Sequence, residues 1–272
     1  SSSGTVTVST GTFDADGTMN CTANFTFTGA GALNLSNTVT DLGTFTKSTS
    51  TVTYDEADAQ LVDNVDYHHL VISGGATKTL SGSTNVGGDL TVTAASTVLA
   101  VGSNTIDVNG TTTITTDGTV TVSTGTFDAD GTMNCSANFT FTGAGALNLS
   151  NTVTDLGTFT KSTSTVTYDE ADAQTVYNVD YHHLVISGGA TKTLSNTTNV
   201  GGDLTVTAAS TVLAVGSNTI DVNGTTAISS SGTVTVSTGT FDADGTMNCS
   251  ANFTFTDAGA LNLSNTVTDL GT

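Results

Sequence analysis

The chain has 272 residues, 36% of them hydrophobic, with 62 threonines, no proline and no tryptophan. Four lysines, no arginine and 24 acidic residues leave a formal charge of −20, and such a field argues against nucleic acid as a partner, because that affinity rests on Lys and Arg neutralising phosphates. No apolar run approaches the roughly 20 residues of a spanning helix, so this segment is not expected to insert into a membrane by helices.

The first predicted elements are short alternating strands. Val6, Val8, Phe13, Met19, Cys21, Phe25, Phe27, Leu33 and Leu35 alternate with Thr, Asn and Asp. β-Branched and aromatic residues at every second position suit a pleated strand with one buried face, so these nine are expected to point inward. Asp16-Gly17, Gly74-Gly75, Gly87-Gly88 and Asn109-Gly110 supply turns.

At Gly118 the sequence starts again. GTVTVSTGTFDADGTMNC begins at Gly4, Gly118 and Gly232, which divides the chain into repeats 4–117, 118–231 and a partial 232–272. The first two copies differ at nine positions, among them Thr22/Ser136, Leu61/Thr175, Asp63/Tyr177 and Gly82/Asn196. Ser1 to Ser3 match Ser229 to Ser231, and Asp269 to Thr272 match Asp41 to Thr44. Such mid-unit ends predict a window on a longer repeating protein.

A finer spacing runs within each copy. Val6 leads to Phe25, Leu33 to Val52, Val71 and Leu90, and Val101 to Val120, all in steps of 19 residues, and six such steps fill the 114-residue unit. This predicts an all-β chain: a right-handed parallel β-helix, or β-solenoid, with about 19 residues per coil, continuous over 1–272 in about 14 coils and roughly 65 to 70 Å long. The alternative is a string of tandem Ig-like β-sandwich domains, for which the unit length is suitable. Against it stand the absence of proline-containing linkers, of a buried Trp and of paired Cys.

Cys21, Cys135 and Cys249 recur once per unit. In such a helix they lie ~29 Å apart, beyond the reach of a disulfide, and are expected as small buried apolar residues. His68-His69 and His182-His183 invite a metal or catalytic reading, but adjacent strand residues face opposite sides. They are expected as strand-edge histidines bonded to backbone. No nucleophile recurs beside them in a usable arrangement, so no enzyme is expected.

Acidic turns offer the better ion hypothesis. FDADG places Asp14 and Asp16, with copies at Asp128 and Asp130, next to a Gly turn; YDEAD places Asp55, Glu56 and Asp58, with copies at Asp169, Glu170 and Asp172. Oxygen ligands of this kind suit Ca²⁺, although each cluster alone falls short of a complete ligand set. No other cofactor is expected. Thr5-Val-Thr7, Thr51-Val-Thr53 and Thr91-Val-Thr93 resemble arrays that face ice, yet spacing alone does not put them on one flank of successive coils. Asn-x-Ser/Thr triplets such as Asn24-Phe-Thr26 and Asn109-Gly-Thr111 are glycan acceptors if the chain is exported.

The run FTKSTSTVTYDEADAQTV followed by YHHLVISGGATKTLSNTTNVGGDLTV, within residues 159–207 and in slightly altered form within 45–93, resembles the repeats of large secreted bacterial β-strand-repeat proteins, similar in style to filamentous-haemagglutinin adhesins. The YHH positions and the acidic YDEAD depart from that pattern. The resemblance implies a secreted or surface-anchored β-solenoid and carries over no catalytic residue. The expected function is structural: an extracellular filament, stalk or surface fibre of stacked coils whose partners are copies of itself, end to end or lateral. The alternative is an adhesin whose Thr- and Asp-rich faces hold glycan, mineral or ice.

Overall fold

The computed structural model describes residues 4–115, 117–229 and 231–271. They form an all-β solenoid of short strands, without a helix among the described residues. Three strands make one coil, so that three sheets run along the rod. The first begins at Thr5–Val8, the second at Thr12–Ala15 and the third at Met19–Asn20. Except at two interruptions in each repeat, strands pair in parallel with the strand one coil on, as Val6 does with Phe25 and Leu33 with Val52. The parallel β-solenoid is therefore observed.

Coil length is not uniform. Val52 lies beside Leu70, 18 residues on; Phe25 beside Phe45, 20 on; and Leu90 beside Thr112, 22 on. The mean is about 20 residues, giving about 13 coils and a stack of roughly 60 Å at the ~4.8 Å strand spacing. Six coils of 19 per repeat do not hold. From Thr5–Val8 to its copy Thr119–Val122 the chain advances seventeen strand positions, counting the single bridge of Tyr67 to Val86 as one. At three to a coil, a repeat is five and two-thirds coils. Equivalent strands therefore land on different sheets: Thr5–Val8 on the first, Thr119–Val122 on the third and Thr233–Val236 on the second.

Alternation sorts the faces as expected. Phe25, Phe27, Leu33, Leu35 and Met19 are buried. Val8, Phe13 and Cys21 are half-buried and Val6 is 37% exposed, because they belong to the terminal coil. Their second-copy equivalents Val120, Val122, Phe127, Met133 and Cys135 are all buried. Like side chains stack on like, each large apolar group contributing ~1.5 to 3 kcal/mol on burial. Burial pushes the Cys135 thiol up to about 11, which keeps it protonated and unreactive.

Two of the three ladders stop at the same place in each repeat. The first sheet breaks after Thr44–Thr46 and the third after Val39–Asp41. Side chains take over the freed backbone groups there, as buried polar groups require. Gln60 Nε2 donates to the carbonyls of Leu35 at 2.8 Å and Asn37 at 2.6 Å. Asp63 Oδ2 accepts from the Leu42 amide at 2.8 Å. The buried Tyr54 and Tyr67 hydroxyls meet at 2.8 Å, the Tyr67 hydroxyl donates to the Asp63 carbonyl at 2.6 Å, and the Asp63 amide donates to Tyr54 at 3.1 Å. The second copy repeats this with Gln174, Tyr168 and Tyr181. Where Asp63 is replaced by Tyr177, the new hydroxyl reaches Asp155 Oδ1 at 2.9 Å, so the splice stays pinned from a different direction.

Candidate functional site

The two acidic motifs, separate in sequence, converge on one sheet. Across the junction of the first and second copies an outward column runs in register through Asn85, Asp107, Asp128, Asn148 and Thr167. Asn85 Nδ2 donates to Asp107 Oδ2 at 3.0 Å. A second column, two residues along each strand, carries Asp130, Ser150 and Asp169 on successive coils, and Ser150 Oγ donates to Asp169 Oδ1 at 2.8 Å. Asp128, Asp130 and Asp169 thus share a face with Asp107, a residue the motifs had not singled out. The first copy places Asp14 beside Asn34 and Thr53, while Asp16 stacks with Ser36 and Asp55, whose Oδ1 accepts from Ser36 Oγ at 2.9 Å.

Crowding like charges on a half-buried face disfavours ionisation. Burial raises the Asp128 carboxyl, helped by Asp130 and opposed by a bond from Asn148. Asp130 is raised by burial, then by Asp107 and Asp169. Asp221 in the next copy is raised by burial, then by Asp244 and Asp242. These carboxylates form an open double column, and among the described residues no three His, Cys, Asp or Glu side chains close on one point as a metal site.

Glu56 and Asp58 do not join this face. The chain turns there, and Lys78 enters the corner from the next coil. Lys78 is fully buried, and its Nζ donates to the carbonyls of Glu56, Asp58 at 2.9 Å and Gly75 at 2.7 Å. Lys192 does the same with Glu170, Asp172 at 2.9 Å and Gly189 at 2.8 Å. Burial pushes the Lys78 pKa down, while the carboxylates of Glu56, Asp55 and Asp58 pull it up. Gly74, at φ +79°, closes the turn where an added Cβ would fall 2.0 Å from the Asp55 carbonyl oxygen. The sequence held one signal for this. In TKTL, Lys78 has the same parity as the buried Leu80.

His69 Nδ1 accepts the Asp89 amide proton at 2.9 Å, and His183 accepts that of Asp203 at the same distance. The proton of the neutral ring therefore sits on Nε2, leaving no lone pair for a metal. The strand-edge expectation holds for His69 and His183, which open the strands His69–Ile72 and His183–Ile186.

The threonine triplets picked out in the sequence do not share one flank: Thr5 and Thr7 lie on the first sheet, Thr51 and Thr53 on the second, with Thr91 two coils beyond Thr53, so an ordered strip comes from other strands. Thr77/Thr79, Val98/Ala100, Thr119/Thr121, Asn138/Thr140 and Thr158/Thr160 stack in register over five coils. They make a charge-free strip on the third sheet. The corresponding strands of the next copy, from Thr191–Leu194 to Asn252–Phe255, stack on the second sheet. No family model matches the chain, and no curated protein or solved structure matches it. Of the resemblance to secreted β-strand-repeat proteins, the solenoid of stacked parallel coils is what is observed.

Proposed function

We propose that the chain is a structural rod, a length of extracellular or cell-surface filament, stalk or fibre built from stacked β-coils. The observation that supports this is the inner apolar core, one continuous cluster from Met19 to Cys249 through all three copies. Cohesion of this kind is additive along a solenoid and needs no ligand. The natural partners are copies of the same rod, end to end or side by side. The extracellular location follows the resemblance, and no catalytic role is proposed.

A second reading is supported by the double column of Asp107, Asp128, Asp130 and Asp169: adhesion through an acidic face that holds Ca²⁺, mineral or glycan. The rotation between copies weighs against a flat crystalline partner, ice included. Successive acidic faces and Thr strips point in different directions, so added repeats do not enlarge one planar array.

Negative-stain microscopy of the purified chain, paired with sedimentation, tests the choice. Smooth rods that lengthen or bundle with concentration are expected. Single rods that adhere to mineral or glycan without assembling would transfer the function to the second reading.

A further inference from the structure

We infer that Lys78 and Lys192 are the resident cations of the acidic corners, doing from within the chain what a bound Ca²⁺ would do for the loops Asp55–Asp58 and Asp169–Asp172. Each loop turns backbone carbonyls of its own toward one point and adds a third from a glycine of the following turn. Converging oxygens next to three carboxylates form a ligand set for a hard cation. An ammonium has three protons and no acceptor, and here three carbonyls take all three.

The arrangement recurs almost to the tenth of an ångström. Asp58 and Asp172 carbonyls both lie at 2.9 Å, and Gly75 and Gly189 at 2.7 and 2.8 Å. The two corners lie on differently oriented parts of the rod, because a repeat is not a whole number of coils, so the geometry comes from the local sequence. Lys78 arrives on the strand Thr77–Leu80, which pairs with Gln60–Val62 one coil earlier. The ammonium therefore also fastens the loop to its neighbouring coil, on the coil directly after the place where two ladders are interrupted. Half of the lysines in a chain of charge −20 are buried in this role. The corners should accordingly fold without metal.

The test uses the whole chain, with thermal midpoints measured in chelator and in added CaCl₂. Lys192→Met keeps the length of the side chain and removes its charge. It should lower the midpoint by roughly 5 to 15 °C, the scale for breaking one side of a buried ionic contact in a chain of this size. Lys192→Ala opens space at the three carbonyls, and CaCl₂ should return part of its lost midpoint. A Lys192→Met chain as stable as wild type would overturn the inference. So would a calcium-dependent rise in the wild-type midpoint that Glu170→Gln with Asp172→Asn abolishes. A readout independent of mutation is the ¹⁵N spectrum of the lysine side chains. Two slowly exchanging ammonium signals are expected, and their absence from the folded wild type would refute the assignment.

Discussion

Phe139→Ala removes a ring from the middle of the rod. Phe139 is fully buried in the strand Asn138–Phe141, with Val120 beside it on one coil and Phe159 on the next. Its ring meets Phe127 edge-on at 5.3 Å and Phe141 at 5.5 Å, and stacks on Phe159 at 6.2 Å. Loss of the buried atoms accounts for ~1.5 to 3 kcal/mol. The coils above and below are held by backbone ladders and cannot close the hole, which brings the expected total to ~3 to 5 kcal/mol. Phe253 has the same sequence neighbours but is only half-buried, in a strand otherwise exposed. Phe253→Ala should cost less, near or below the ~1.5 to 3 kcal/mol of the lost burial alone, because the gap it leaves opens on solvent and is not enclosed. Urea unfolding of both single variants, followed by far-ultraviolet circular dichroism, measures the two losses. Equal costs at the two positions, or a loss below about 1 kcal/mol at Phe139 against the cavity scale, would refute the argument that cohesion comes from stacked inner rungs.

The raised carboxyl of Asp128 makes a pH prediction whose sign is unusual for an aspartate. The folded state holds this proton more tightly than the unfolded chain, so stability falls as pH rises from the ordinary carboxylate value of 3.8 through the raised one. Asp128→Asn should flatten that part of the curve and melt higher than wild type at neutral pH; a difference between the two that does not change with pH would contradict it. At the alkaline end, burial pushes Tyr168 up to about 12 and raises Tyr54, Tyr67 and Tyr181 as well. Stability present below pH 10 should be lost above it, with phenolate absorbance rising in step with unfolding. Tyr168→Phe strips the hydroxyl that meets Tyr181 at 2.8 Å and the Tyr177 amide at 3.0 Å, and should cost ~1 to 3 kcal/mol in urea unfolding. Gly188→Ala should melt far lower than Gly216→Ala. Both sit at positive φ, but the new methyl meets the Asp169 carbonyl oxygen at 1.9 Å at the first and nothing within 4 Å at the second.

The strands were legible because their alternation is strict, and the turns because glycine marks them. The coil count was not. Steps of 19 between apolar residues are real at Val6 and Phe25, but the loops between strands differ in length, from the 18-residue step at Val52 to the 22-residue step at Leu90. A regular period fitted to some of these steps misses the sum by a third of a coil. The same limit hid the acidic face, since Asp107, Asp130 and Asp169 meet only when successive registers are known. Lys78 was concealed by its charge, which biases any reading outward although its parity points in. The Tyr54 and Tyr67 pair was concealed by a broken ladder, for which an alternation pattern has no counterpart.

Seventeen strand positions per unit leave a remainder of two when divided by three sides. Gain or loss of one unit by recombination would leave the inner rungs intact, because the strands present in all three copies, Thr5–Val8 to Val39–Asp41 and their equivalents, already fold on each of the three sheets. It would nonetheless turn everything beyond the junction by a third of a revolution, re-aiming each later acidic face and threonine strip. Only a change of three units restores the original bearings. Copy number in such a chain thus sets direction as well as length, and two variants differing by a single unit would be equally sound rods with differently addressed sides.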